Sequence, residues 1–170
     1  MIYLITGGER SGKSSYAQEL AFKLSPTPTY IATARQWDDD FKARIKRHQN
    51  ERDSRWTNIE EEKYIGNLEL QNKVVVIDCV TLWLTNFYMD SNNNVEESLT
   101  GAKAEFDKIN RMDGTFIFIT NEIGMGVHAS NEVGRKFVEL QGWMNQYIAK
   151  NANQVILMVS GIPVKIKPIL

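Results

Sequence analysis

Eight residues near the start, Gly7-Gly8-Glu9-Arg10-Ser11-Gly12-Lys13-Ser14, bring together the residue types that bind a polyphosphate. They fit the spacing Gly, four residues, Gly-Lys-Ser, after the apolar run Ile2-Tyr3-Leu4-Ile5 and before a helical pattern. Glycines let backbone N–H groups wrap phosphate oxygens, and a helix N-terminus favours anions. Lys13 adds a point charge and Ser14 offers a hydroxyl to Mg²⁺.

Three further places carry polar groups where an apolar run stops. Val74-Val75-Val76-Ile77 ends in Asp78, as the second acidic element of phosphate-loop enzymes does, and Asp78 there would hold Mg²⁺ directly or through water. The plainer alternative is an aspartate capping the helix that starts near Thr81. Asn121 and Glu122, before Gly124-Met125-Gly126, put an amide and an acid beside a flexible loop, which suits a substrate or metal site but also a turn with a helix cap. Ala32-Thr33-Ala34 has side chains small enough for a nucleotide to approach closely.

The fourth place is a helical pattern over residues 38–52. Its acidic start and basic end are what a helix dipole favours with no function at all. Arg44, His48 and Arg52 follow one another at intervals of four and share a face. Between two guanidinium groups the protonated imidazole is disfavoured, leaving a neutral nucleophile beside phosphate-binding cations. A solvated surface histidine is the competing reading. His128, after the glycine loop, either touches substrate or sits in solvent.

The elements that must position these groups alternate between short apolar runs and longer amphipathic ones, the signature of a mainly parallel sheet flanked by helices. Strands are expected at 2–5, 29–32, 74–77, 115–119 and 155–159, and helices at 13–24, 38–52, 81–89, 95–110 and 132–150. The alternation at 164–166, after a turn, suggests a short antiparallel C-terminal edge strand. No repeat or linker divides residues 1–170, so a single nucleotide-binding domain is expected.

Composition narrows the classes. Twenty basic and 21 acidic residues leave a net charge of -1, so no global field draws the chain to nucleic acid or a membrane surface. The one cysteine, Cys79, lies in an apolar context and reads as a small buried hydrophobe; it excludes an internal disulfide framework and suits a reducing compartment. Without a signal-like start or a long apolar span, a cytoplasmic protein with no membrane span is expected.

Taken together and in order, the phosphate loop, Tyr30-Ile31-Ala32-Thr33-Ala34, Arg44-Ile45-Lys46-Arg47-His48, Asp78-Cys79-Val80-Thr81, Thr120-Asn121-Glu122-Ile123-Gly124-Met125-Gly126 and Val159-Ser160-Gly161-Ile162-Pro163-Val164-Lys165 resemble the bifunctional adenosylcobinamide kinase and adenosylcobinamide-phosphate guanylyltransferase family of cobalamin biosynthesis. The resemblance implies a RecA-like phosphate-loop fold, usually as a homotrimer. It also implies two steps: ATP or GTP phosphorylates adenosylcobinamide, then GTP passes its guanylyl group through a histidine to the phosphorylated corrinoid. By the same resemblance the nucleophile is His48, and Lys13 serves the phosphates. Nucleotide contacts extend over Gly7 to Ser14, Ala32 to Ala34, Gln49, Asn50, Glu51, Arg52, Glu60 and Asp78. Asn121 and Glu122 are candidates for the acceptor side, and Ser14 with Asp78 for Mg²⁺.

Two positions depart from the family pattern: Gln49 stands where a basic residue is common, and Glu9 puts a carboxylate into the phosphate loop. The kinase step has no marked general base, with Glu122 and Asp78 both open. A small-metabolite kinase with His48 on its surface is the main rival. A nucleotide-hydrolysing regulatory or nucleic-acid module is another, but its basic patch and aromatic row are not evident, since Trp37, Trp56, Trp83 and Trp143 are scattered.

Overall fold

Strands covered on both faces read as unbroken apolar runs, and five such runs form the middle of a seven-stranded sheet. The computed structural model describes residues 1–35 and 52–167. Its strands are β1 (Ile2–Gly7), β2 (Thr29–Ala32), β3 (Thr57–Glu60), β4 (Val74–Asp78), β5 (Thr115–Ile119), β6 (Gln154–Val159) and β7 (Ile162–Lys167). The helices are α1 (Lys13–Leu24), α2 (Val80–Asp90), α3 (Val95–Asn110) and α4 (Glu132–Asn151), with a 3₁₀ turn at Ile65–Asn67. The sheet order is β3-β2-β4-β5-β1-β6-β7, parallel throughout except for the antiparallel β6–β7 pair.

Alternation along the strands sends side chains to two cores. Ile2, Leu4, Val75, Ile77, Phe116 and Phe118 face α2, α3 and α4, where they meet Trp83, Phe106 and Met144. Tyr3, Ile5, Val76, Ile117 and Ile119 face the other way, against Ala17 and Ala21 of α1. The alanines let α1 lie close to the sheet, and that closeness sets where the phosphate loop sits.

Register brings the candidate groups level. Ile5 and Asp78 both pair with Ile119, and Ala32 pairs with Asp78. The ends of β1, β2, β4 and β5 therefore open onto one edge, the carboxyl edge where ligands of such sheets bind.

The expected strands and helices recur with ends shifted by a residue or two, apart from two cases. Sequence reasoning missed β3: Thr57-Asn58-Ile59-Glu60 is an edge strand whose side chains are mostly exposed, so it has no apolar run to announce it. The helix expected over 38–52 lies outside the described residues as far as residue 51, and with it His48, Gln49, Asn50 and Glu51.

Candidate active site

The phosphate loop is built by close approaches that only glycine permits. Gly7 has φ of 152°, and a Cβ there would stand 2.6 Å from the Met158 carbonyl and 2.7 Å from Ser11 Oγ. Gly12, with φ of 93°, is the N-cap of α1, and no side chain caps the helix. The first amides of α1 are thus left for an anion. Lys13 is buried and its Nζ donates to the Gly8 carbonyl at 2.5 Å, bridging the loop. Burial pulls the Lys13 pKa below the usual lysine range, while the nearby Cys79, Glu9 and Asp78 push it back up. From the far side the β6–β7 turn braces the loop: Ser160 and Gly161 both have positive φ, and the Gly161 N–H donates to the Ser11 carbonyl at 3.0 Å.

Asp78, at the end of β4, faces Ser14 in the first turn of α1. Its Oδ2 accepts the Ser14 hydroxyl at 3.1 Å and also the hydroxyl of Tyr30 from β2. Burial first, then the Asp78 charge, hold the Tyr30 pKa well above the usual phenol range, so this hydroxyl stays a donor at neutral pH. The Tyr30 ring stands edge-on to Trp56, with centroids 5.5 Å apart, and the Arg52 guanidinium lies 4.0 Å from its centroid. Nothing in the apolar run around Tyr30 marked it as a site residue.

These groups line a cavity of about 450 Å³ that runs from Glu9–Ser14 past Asp78 to Arg52, with Ala32, Ala34, Leu82 and Asn121 in its walls. Two of the lining residues carry buried polar atoms, Ser11 Oγ and Arg52 Nε, that have no hydrogen-bond partner among the described residues. A phosphorylated ligand would supply acceptors to both. The paired hydroxyl and carboxylate of Ser14 and Asp78 are hard oxygen donors of the kind Mg²⁺ takes beside a polyphosphate.

The other candidates are placed as follows. Thr33 is buried; its backbone N–H donates to the Asp78 carbonyl and its hydroxyl to the Cys79 carbonyl, so Ala32 and Ala34 are what this turn presents to the cavity. Glu60 pairs with Ala32 at the end of β3, exposed and outside the cavity wall. The Glu122 backbone N–H donates to the Gly7 carbonyl, while its carboxylate accepts the N–H of Gly124. Of the two acids open as general base, Asp78 is the one in the cavity wall. His128 is exposed. Cys79 is buried and its thiol is pushed up to about 12, mainly by burial, as a small hydrophobe rather than a nucleophile would be.

A family model described as cobinamide kinase / cobinamide phosphate guanyltransferase matches residues 3–166. The chain belongs to this family. It is 35% identical to the bifunctional adenosylcobalamin biosynthesis protein CobU of Escherichia coli (strain K12), over 98% of this chain and 100% of that one. It is 34% identical to the bifunctional adenosylcobalamin biosynthesis protein CobP of Pseudomonas aeruginosa, over 96% of both chains. Among solved structures, the flagellar accessory protein FlaH of Methanocaldococcus jannaschii is similar at a TM-score of 0.49 and 15% identity, covering 98% of this chain and 78% of that one. Membership of the cobinamide family accounts for the ordered motifs from the phosphate loop to β7. Among the described residues no helix is long and apolar enough to cross a membrane.

Proposed function

We propose that this protein phosphorylates the aminopropanol hydroxyl of adenosylcobinamide with ATP or GTP, and then converts the product to adenosylcobinamide-GDP. The observation that carries the reading is the Ser14–Asp78–Tyr30 cluster at the mouth of the phosphate loop, in a chain that aligns almost end to end with relatives named as bifunctional. In the first step the α1 amides and Lys13 hold the donor phosphates, the acceptor hydroxyl oxygen attacks the γ-phosphorus, the β–γ anhydride bond breaks to release the nucleoside diphosphate, and the hydroxyl proton passes to Asp78 or to solvent. Mg²⁺, when bound at Ser14 and Asp78, neutralises charge on the phosphate oxygens.

In the second step His48 attacks the α-phosphorus of GTP, the α–β anhydride bond breaks and pyrophosphate leaves. A phosphate oxygen of the phosphorylated corrinoid then attacks the same phosphorus, the P–N bond breaks and the imidazole is regenerated. Support comes from chain connectivity. Arg52 lines the cavity, and His48 precedes it by four residues in the chain. Gln49, Asn50 and Glu51, between them, are assigned to the nucleotide in the same reading. We extend the reading to a cytoplasmic homotrimer in which residues 1–170 act as one domain.

The test is incubation of the wild type and His48→Ala with Mg²⁺ and GTP labelled at the α-phosphate, followed by denaturation. Acid-labile, base-stable label on the wild type and none on the variant is the expected result. If a folded, GTP-binding wild type takes no label, the histidine step fails and a plain kinase remains.

A further inference from the structure

The segment between β5 and α4 is held firmly at both ends and loosely in between. At its start, buried Thr120 is bonded to Asn145 at 2.7 Å and to Gln141 at 2.9 Å, and the Glu122 N–H donates to the Gly7 carbonyl at 3.0 Å. At its end, Asn131 caps α4 by accepting the Gly134 N–H, and Arg135 donates to the carbonyls of Ala129 and Ser130. Between these anchors the chain makes a single turn at 124–125. A Cβ on Gly126 would meet nothing within 4 Å.

The tip is apolar and faces solvent. Met125 is 80% exposed and Val127 97% exposed, and Val133 in the first turn of α4 is 47% exposed. Single exposed apolar residues need no explanation, but these lie together in one short segment at the carboxyl edge of the sheet. That segment continues from Asn121, which lines the nucleotide cavity. In the kinase reading the donor nucleotide takes the phosphate-loop side of this cavity, which leaves the open edge to the acceptor.

We propose that residues 124–127 are the docking edge for the acceptor, with Met125 and Val127 covering an apolar part of the cobinamide macrocycle. The proposal rests on the kinase reading above. The chemistry matches: a corrin carries methyl groups and amide side chains around a broad flat ring. Two exposed apolar side chains on an exposed stretch of backbone present both kinds of contact. Contact here would leave the aminopropanol arm directed along Asn121 toward the cavity. The thioether of Met125 and the open space at Gly126 let the tip adjust to the ring.

The test uses the full chain as Val127→Asp, Met125→Ser and the conservative Val127→Leu. Phosphoryl transfer from ATP to cobinamide is measured by steady-state kinetics, and cobinamide binding by equilibrium dialysis read by its visible absorbance. Nucleotide affinity is followed with a fluorescent ATP analogue and particle mass by light scattering. We expect Val127→Asp to raise the cobinamide KM and dialysis constant about tenfold or more, with kcat within about twofold. Nucleotide affinity and mass should be unchanged, and Val127→Leu should behave as wild type. An unchanged KM and dialysis constant in Val127→Asp, with an active wild type, overturns the inference alone. A changed mass overturns it in favour of a second copy of this chain as the occupant of the loop. A wild type that binds nucleotide but neither binds nor phosphorylates cobinamide removes the kinase reading and this inference together.

Discussion

Two hydroxyls, those of Ser14 and Tyr30, converge on one oxygen of Asp78. Both donate to Oδ2, which fixes the orientation of the carboxylate at the end of β4. Tyr30→Phe keeps the ring that stacks under Arg52 and packs on Trp56, and removes only the bond to the carboxylate. A hydrogen bond to a charged group contributes roughly 1.5–3 kcal/mol to stability, so we expect a loss of that order in urea titration, together with a fall in kcat as the Asp78 carboxylate loses its fixed orientation. Unaltered kcat for phosphoryl transfer would rule out the positioning role. Gly7→Ala should be worse, because its Cβ collides with the Met158 carbonyl and Ser11 Oγ. The expected result is nucleotide binding lost and stability lowered by about 1–3 kcal/mol, read by denaturant titration with and without ATP. For Cys79, a thiol raised to about 12 is neutral at pH 8, so iodoacetamide should leave the native protein unmodified by mass and label it only after unfolding.

At the scale of elements, helix α2 ends on a residue that its own dipole disfavours. Asp90 is the last residue of α2, where a cation would ordinarily be preferred. Arg35, just beyond β2, donates to both Asp90 oxygens at 2.7 and 3.0 Å, and Lys63 donates at 3.0 Å. These bonds hold the Asp90 carboxyl well below the usual carboxylate range. A depressed pKa contributes stability that is fully present above the unfolded value, about 3.9, and is lost as pH falls through the folded one. The cluster is partly exposed and solvent-screened, so Asp90→Asn should cost only about 1 kcal/mol at pH 7. Urea titrations should show that gap closing as the pH falls below about 3; a gap that persists would assign the loss to packing.

The same scale explains what could be read without a structure. Strands β1, β4 and β5 are legible because they bury both faces, and α1 and α3 because each is a long amphipathic run between loop residues. Strand β3 was hidden because an edge strand with exposed side chains has nothing to repeat. Asp78 and Ser14 stood out through position and spacing, whereas Tyr30 did not: a strand tyrosine looks like core until its hydroxyl is seen on a carboxylate. The Arg35–Glu62–Asp90–Lys63 cluster was equally hidden, since contacts between residues so distant in sequence leave no local pattern.

For the whole molecule, the near balance of charge has a simple consequence. A net charge of -1 and a sequence pI near 6.1 leave little self-repulsion around pH 6. Turbidity against pH should peak there, and a minimum at that pH would point to a stronger asymmetry of surface charge than the composition implies. The sheet also joins distant parts of the chain: β1 is flanked by β5 and β6, so neither side of the first strand is closed until the last third of the sequence arrives. Such pairings favour slow folding relative to helical proteins of similar size.

The bond from Gly161 to Ser11 gives that topology a temporal meaning. Synthesis runs from N- to C-terminus, and the phosphate loop at residues 7–14 is made well before its brace at Gly161. An unfinished chain carries the loop unsupported, beside a first strand that still lacks its β6 neighbour. Nucleotide that binds the braced loop stabilises the state in which β6 and β7 are in place, because a ligand that binds only the native state shifts the balance toward it by mass action.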